Sequence, residues 1–351
     1  MKPIQAIAIV CSAHLLLCAH TVNAQPDKLP ALGVKLNDVT VSGLSSGAFM
    51  ASQLYIVNSQ IMSGAGIIAG GPYLCALSWD FQSHVQNATG SCMNPLTHSS
   101  GPNTPHLSSL TRQLAEKGDI DSITNLVDDK IYLFNGKADH TVTTTVMDQT
   151  YQYFLDLGIN KDAIEYVTDV DAGHAIVTTS FGNKECAVTE KPFINDCDIY
   201  QAKDILNHLY SGLSEPAADV AQAIVEFDQT EFIKSGNTSM SDSAFVYIPE
   251  GCREGGCRLH IVYHGCLQGY TEIGDQYYMG TGYNQIADAN DIVMLYPQVE
   301  PSSKDPFNPQ GCWDFWGYSQ PNKSEPDFYS KHAPQLSAVR AMIDRLAEPV
   351  N

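Results

Sequence analysis

Two short segments carry residue types that together could perform acyl transfer, and they stand in an unusual order. Val41-Ser42-Gly43-Leu44-Ser45-Ser46-Gly47 holds the frame G-x-S-x-G, with Ser45 as the only serine so placed. Such a frame puts a serine on a strained strand-to-helix turn, where its hydroxyl is exposed and the flanking glycines tolerate the crowding. Far downstream, Leu259-His260-Ile261-Val262-Tyr263-His264-Gly265-Cys266 reads as a strand running into an H-G-x turn. In an ordinary α/β-hydrolase that turn precedes the serine, because it supplies an oxyanion-hole amide from an early strand. Here it follows. Either one segment is accidental or the fold is circularly permuted.

A serine hydroxyl is a weak nucleophile near neutrality and needs an adjacent base, which in turn needs a carboxylate to fix its tautomer. The carboxylate should follow a strand after the serine. Lys130 to Phe134 reads as such a strand, and Asn135-Gly136-Lys137-Ala138-Asp139 leads to Asp139. A turn aspartate or helix cap is the commoner role for this residue type, but its place between Ser45 and the candidate base favours the acid. Asp169 and Asp171 compete, yet sit close to the histidine loop. The base should lie in a loop after the next strand, and Asp171-Ala172-Gly173-His174 follows the Ala163–Val167 run. His140 adjoins the acid, and neighbouring side chains rarely both point into one site. His264 is expected to brace its own turn. His174 is therefore the candidate base. Two backbone donors must face the developing oxyanion; the amides of Ser46 and Cys266 are the candidates. The segment Gly311-Cys312-Trp313-Asp314-Phe315-Trp316-Gly317-Tyr318 holds two of three tryptophans. Aromatics so spaced are more often core, but Trp313 or Trp316 is expected to line an apolar substrate cleft.

The elements that must position these residues alternate between β-branched runs and amphipathic stretches, which predicts an α/β fold with a mostly parallel sheet flanked by helices. Val39-Thr40-Val41 is a strand into the serine turn, and 47–59 a helix whose small first residues allow close approach. Further strands are expected at 66–69, 130–134, 163–167, 245–249, 259–263 and 291–297, and helices at 204–213 and 333–346. The 245–249 and 259–263 strands are expected to be joined through a Cys252/Cys257 loop. Joining the chain's ends on paper makes the C-terminal helix feed the Val39 strand. The order then becomes hairpin, H-G-x strand, strand, helix, serine strand, acid strand, histidine loop. A break at Leu213-Ser214-Glu215-Pro216 marks a linker over about 214–228, where an unpermuted relative would begin and end.

Composition bounds the rest. Lys2, the apolar run Ile7 to Ala19 and Val22-Asn23-Ala24 read as a secretory signal over 1–24. Leu15-Leu16-Leu17-Cys18 offers a weaker lipoprotein reading. Residues 25–351 are long enough for one domain with a full core. After the signal, eight cysteines remain: Cys75, Cys92, Cys186, Cys197, Cys252, Cys257, Cys266 and Cys312. An even count behind a signal argues for disulfides. Sequential pairing is expected, with Cys266 and Cys312 last, among about 105 connectivities. His260 and His264 have H-x-x-x-H spacing, but on a strand and without the zincin glutamate, so no metal is expected. A net charge of −20 makes nucleic acid and anionic membranes poor partners. Three N-x-S/T sequons, at Asn87, Asn237 and Asn322, matter only in a glycosylating source.

Taken together, G-L-S-S-G around Ser45, G-K-A-D-H-T-V around Asp139, A-G-H at His174, H-G-C-x-Q at His264 to Gln268, Y-P-Q at Tyr296 to Gln298 and G-C-W-D-F-W-G-Y at Gly311 to Tyr318 resemble secreted poly(3-hydroxybutyrate) depolymerases of the single-domain, circularly permuted type. The resemblance spans residues from about 40 to 320. It implies a Ser45–Asp139–His174 triad, an oxyanion hole from the Ser46 and Cys266 amides, an aromatic cleft at Trp313/Trp316 and a covalent 3-hydroxyacyl enzyme. It also implies no cofactor and a polyester or oligomeric 3-hydroxyalkanoate as the partner of a monomer that is extracellular or periplasmic. Many such depolymerases carry a linker and a separate polymer-binding domain, for which this chain has no room. Short oligomers or other hydrophobic esters are therefore alternative substrates. A binding protein that kept the fold is a reading from another class.

Overall fold

The computed structural model describes residues 27–179, 184–234, 237–320, 322 and 326–350. The expected signal at 1–24 lies outside them. Ten strands are present among the described residues: β1 Val39–Leu44, β2 Met62–Ile68, β3 Lys130–Phe134, β4 Ile164–Val167, β5 Ile176–Thr178, β6 Ile194–Asp196, β7 Val225–Asp228, β8 Ser243–Tyr247, β9 Arg258–Tyr263 and β10 Ile292–Tyr296. Eight form one sheet in the order β4-β3-β2-β1-β9-β10-β8-β7, and β5 and β6 form a parallel pair beside it. In the large sheet only β8 runs against its neighbours.

The sheet has its two faces covered, which explains why its strands read as continuous apolar runs rather than alternating ones. Alternate residues of β9 and β10 go to opposite layers. Leu259, Ile261, Val293 and Leu295 pack with the helices Ser46–Val57, Thr104–Lys117, Thr144–Leu157 and Pro334–Ala347. Val262, Ile292, Met294 and Tyr296 pack with Gln201–Tyr210 and Tyr283–Asn290. The Ser46–Val57 helix is buried along its whole length. That is the place for a helix apolar on every side.

β1, earliest in sequence, pairs in parallel with β2 on one side and with β9 on the other. The residues leading into β1 are tied to the end of the C-terminal helix: Leu32 and Val34 N–H groups donate to Leu346 O, and Gly33 N–H to Glu348 O at 2.8 Å. Read from β7 to the C-terminal helix and on from β1 to β4, the sheet is that of a circularly permuted α/β-hydrolase. One expectation is corrected here. Residues 225–228, placed in the linker, form the edge strand β7 and hydrogen-bond to β8, leaving 214–224 without helix or strand. β8 and β9 are joined through the Cys252–Cys257 loop as expected, and β10 lies between them in the sheet. The helices 104–117 and 144–157 were not read from the sequence. Asn87, one of the three sequon asparagines, is buried.

Candidate active site

All the candidate groups sit beyond the carboxyl ends of parallel strands, where open α/β sheets place their ligand crevices. β1 ends at Leu44, and Ser45 adopts φ 57°, ψ −123° before the helix begins at Ser46. For a residue with a Cβ this positive φ is a strained conformation of the kind found at functional turns. The two glycines of the frame have steric reasons. A Cβ on Gly43 would lie 2.3 Å from Gly47 O, and one on Gly47 would lie 2.3 Å from His264 O. The helix therefore starts against the end of β9, which brings the two halves of the sequence into contact. A Cβ on Gly265 would lie 3.3 Å from Ser45 Cβ, so the H-G-C turn lies beside the serine.

β3 ends at Phe134 and its following turn buries Asp139. One carboxylate oxygen of Asp139 accepts the backbone N–H groups of Thr141 (2.8 Å) and Val142 (3.0 Å). The other lies 2.7 Å from His174 Nδ1. With a carboxylate at Nδ1, the proton of neutral His174 sits there and Nε2 is left as the base. The His174 backbone N–H donates to Thr189 Oγ1 at 2.9 Å. Ser45 and His174 share the walls of a cavity of about 190 Å³ with Thr189, Phe193, Cys266 and Gln268. The competitors Asp169, Asp171 and His140 are exposed.

The oxyanion candidates are equally placed. Gly265 N–H is already used by Gln268 Oε1 at 2.6 Å. Among the described residues the Ser46 and Cys266 amides have no hydrogen-bond acceptor, and both residues line, with Ser45, a second cavity of about 630 Å³. His264 is buried and braces the turn: Val299 N–H donates to its Nε2 at 3.3 Å, so its Nδ1–H donates to Gly265 O at 2.7 Å. Burial holds the His264 ring down at a pKa of about 4, the bond to Gly265 opposing. The disulfide Cys266–Cys312 ties this turn to the aromatic segment; Cys75–Cys92, Cys186–Cys197 and Cys252–Cys257 are the other bridges.

This second, larger cavity shares Ser45, Met93, Cys266 and Gln310 with the smaller one. Its wall is aromatic. Phe49 stacks on Phe315 at 4.1 Å, Trp316 meets Phe315 edge-on at 4.9 Å, and Tyr318 tilts against Trp316. The buried Asp314 carboxylate organises this wall by accepting the N–H groups of Trp316, Gly317, Tyr318 and Ser319 and the Ser319 hydroxyl. Burial pushes its carboxyl pKa up, against those donors.

Trp313 corrects the expectation that either tryptophan faces substrate. Trp316 lines the cavity, whereas Trp313 is fully buried. Its ring meets Tyr263 at 4.7 Å and His264 at 5.6 Å, and its backbone N–H donates to Ser46 Oγ. It therefore packs beneath the oxyanion turn rather than in the cleft. Sequence reading missed Phe49, Met93, Val142, Phe307 and Gln310 as lining residues. Phe49 alone carried a signal, one helical turn after Ser45 and thus on the same face.

No protein-family model matches the chain. Curated relatives and solved structures do. A poly(3-hydroxybutyrate) depolymerase of Delftia acidovorans is 39% identical over 346 residues, 97% of this chain and 66% of that protein. A polyhydroxybutyrate depolymerase of Talaromyces funiculosus is 33% identical over 327 residues, 89% of this chain and 88% of that one. The crystal structure of PHB depolymerase from Penicillium funiculosum superposes with a TM-score of 0.80 at 30% identity, covering 91% of this chain and 98% of that chain. A serine-to-alanine PHB depolymerase complexed with R3HB trimer matches equally. The fold and site thus define an α/β-hydrolase of the carboxylic ester hydrolase class. The chain belongs to the poly(3-hydroxybutyrate) depolymerase family.

Proposed function

We propose that this chain is a secreted serine esterase that hydrolyses poly(3-hydroxybutyrate) or its oligomers with Ser45 as nucleophile, His174 as base and Asp139 as the orienting acid. The observation that carries the reading is the 2.7 Å Asp139–His174 bond beside a serine held at positive φ. Ser45 Oγ attacks the ester carbonyl while His174 Nε2 takes its proton. The carbonyl π electrons move onto oxygen, which the Ser46 and Cys266 amides receive. Collapse expels the alkoxide of the departing 3-hydroxyacyl fragment, and His174 returns the proton to it. Water then repeats the sequence on the acyl-enzyme and frees Ser45. No cofactor takes part.

The apolar cavity supports a methyl-bearing polyester chain as substrate, with Trp316 against it. Residues 25–351 act as one catalytic domain and as a monomer. Four disulfides support an oxidising, extracellular or periplasmic location, and no helix of the described residues is long and apolar enough to cross a membrane. The acidic chain leaves nucleic acid and anionic membranes outside its partners. The test is release of 3-hydroxybutyrate from amorphous polymer, with p-nitrophenyl butyrate beside it and Ser45→Ala as control. Polymer release that vanishes in the variant supports the reading. Turnover of the soluble ester alone moves the activity to small esters, and silence on both favours a binding protein.

A further inference from the structure

The sequence element H-G-C-x-Q ends in a glutamine to which the triad and oxyanion chemistry give no role. Gln268 is 1% exposed, and both ends of its amide are committed. Oε1 accepts the Gly265 N–H at 2.6 Å. Nε2 donates to Pro192 O at 2.8 Å and to Phe193 O at 3.2 Å. One side chain therefore joins the oxyanion turn to the loop that follows His174.

Both segments it joins are held away from relaxed backbone. Leu267 has φ 59° and Phe193 φ 57°, a region that disfavours residues with a Cβ and persists only where surroundings over-determine it. Phe193 O also accepts the Ile176 N–H, two residues after His174. Phe193, Gln268, His174, Ser45 and Cys266 all line the same small cavity. The path from the Cys266 amide to the base thus runs through one glutamine.

Resting on the esterase reading above, we infer that Gln268 is a positioning residue that sets the Cys266 amide of the oxyanion hole against the His174 loop. Two physical effects follow. Gln268 Oε1 occupies Gly265 N–H, so that amide does not compete with Cys266 for the oxyanion, and the His264–Gly265 peptide is held one link before the Gly265–Cys266 peptide, whose Gly265 O is held by His264 Nδ1–H. Its two donors restrain the histidine loop by the carbonyls of Pro192 and Phe193. Loss of one preorganised oxyanion donor lowers kcat by about 10²–10³-fold and leaves ground-state binding nearly unchanged.

The experiment compares wild type with Gln268→Ala, Gln268→Glu and Gln268→Met. The glutamate variant keeps the acceptor for Gly265 and loses the donors. The methionine variant keeps volume and loses both, which guards against an alanine variant that does not fold. Active sites are counted with a serine-directed phosphonate, and kcat and KM for p-nitrophenyl butyrate are expressed per labelled site. Affinity for an alkyl trifluoromethyl ketone, whose serine adduct places an oxyanion in the hole, is measured alongside. The expected result is a fall in kcat of about 10²-fold in Gln268→Ala and Gln268→Met, KM within about twofold, and a parallel loss of ketone affinity. Gln268→Glu should fall between these and wild type. A merely structural role would lower the labelled fraction or the melting temperature while kcat per labelled site stayed near wild type, and that result overturns the inference. Wild-type protein that neither turns over nor labels would instead overturn the esterase reading itself.

Discussion

The two halves of the chain supply the candidate site with different kinds of group, and they hold them by different means. The first half, through β1 to β4, brings the proposed proton-moving side chains Ser45, Asp139 and His174. These are fixed by backbone strain at Ser45 and by short hydrogen bonds around Asp139. The second half, through β9 and β10, brings the Cys266 amide and the aromatic wall. These are fixed by a disulfide, by the buried His264 and by the Asp314 carboxylate that gathers five donors. In the proposed reading bond-making side chains come from one half, whereas charge stabilisation and substrate shape come mainly from the other, to which the first half adds the Ser46 amide and Phe49. They touch where Gly47 meets His264 O and Gly265 meets Ser45. A permuted chain can divide labour this way because the site depends on where strand ends meet, not on their order.

The comparison predicts that damage to the first half removes turnover, whereas damage to the second weakens it. The largest effect belongs to Asp139→Asn, which keeps the shape but leaves His174 in the wrong tautomer. Its kcat on p-nitrophenyl butyrate should fall by about 10⁴-fold with KM little changed. A loss below tenfold would remove Asp139 from its role. Next comes the Cys266→Ser, Cys312→Ser double variant, which frees the oxyanion turn from the aromatic segment. Its kcat should fall by about 10²-fold, the scale of one lost oxyanion donor, with a lowered melting temperature. Unchanged kcat in a folded double variant would mean that His264 and Gln268 hold the turn without the bridge.

Smaller effects sharpen the same division. Trp316→Ala should raise KM for a 3-hydroxybutyrate trimer by about tenfold, since apolar burial of an aromatic contributes roughly 1–3 kcal/mol. Its kcat on the short p-nitrophenyl ester should stay within about twofold. Equal loss on the two substrates would place Trp316 in the turnover machinery rather than in the cleft wall.

The smallest effect is a slope of stability with pH. Burial holds His260 down at about 3 and His264 at about 4, so the folded protein keeps them neutral where the unfolded chain protonates them. Their contribution is fully present above about 6.5 and is lost as pH falls through the folded values. Asp129 runs the other way, because burial raises it to about 7. Its contribution is present at low pH and is lost as pH rises toward 7. Near pH 5 the unfolded chain then binds about one proton more from these three groups, giving a slope of about +1.4 kcal/mol per pH unit. Asp129→Asn removes the opposing group and should roughly double that slope in urea titrations. An unchanged or flatter slope in Asp129→Asn would contradict the raised Asp129, and a variant slope near zero would contradict neutral His260 and His264.

Much of this was legible in the sequence, for identifiable reasons. The serine turn, the acid loop and the histidine loop each follow a strand whose apolar run is unmistakable, and strand ends are where such groups belong. The permutation was readable because the H-G-C turn stood downstream of the serine. β7 was not readable: Val225 to Asp228 is short, half exposed and on a sheet edge, where pairing to β8 rather than side-chain pattern makes the strand. The roles within Gly311 to Tyr318 were not readable either. Trp313 and Trp316 lie three apart in an irregular loop, with no periodicity to say which faces solvent. The Ser46 bond to Trp313 comes from distant sequence, and the Asp314 bond to Trp316, though local, follows no residue pattern that marks it.

The most direct test of the central claim is mass spectrometry of enzyme acid-quenched during turnover of a 3-hydroxybutyrate oligomer. The account predicts a 3-hydroxyacyl adduct on the peptide containing Ser45, increased when deacylation is slowed and absent from Ser45→Ala. Product release with no adduct at Ser45, or an adduct that persists in Ser45→Ala, would contradict it.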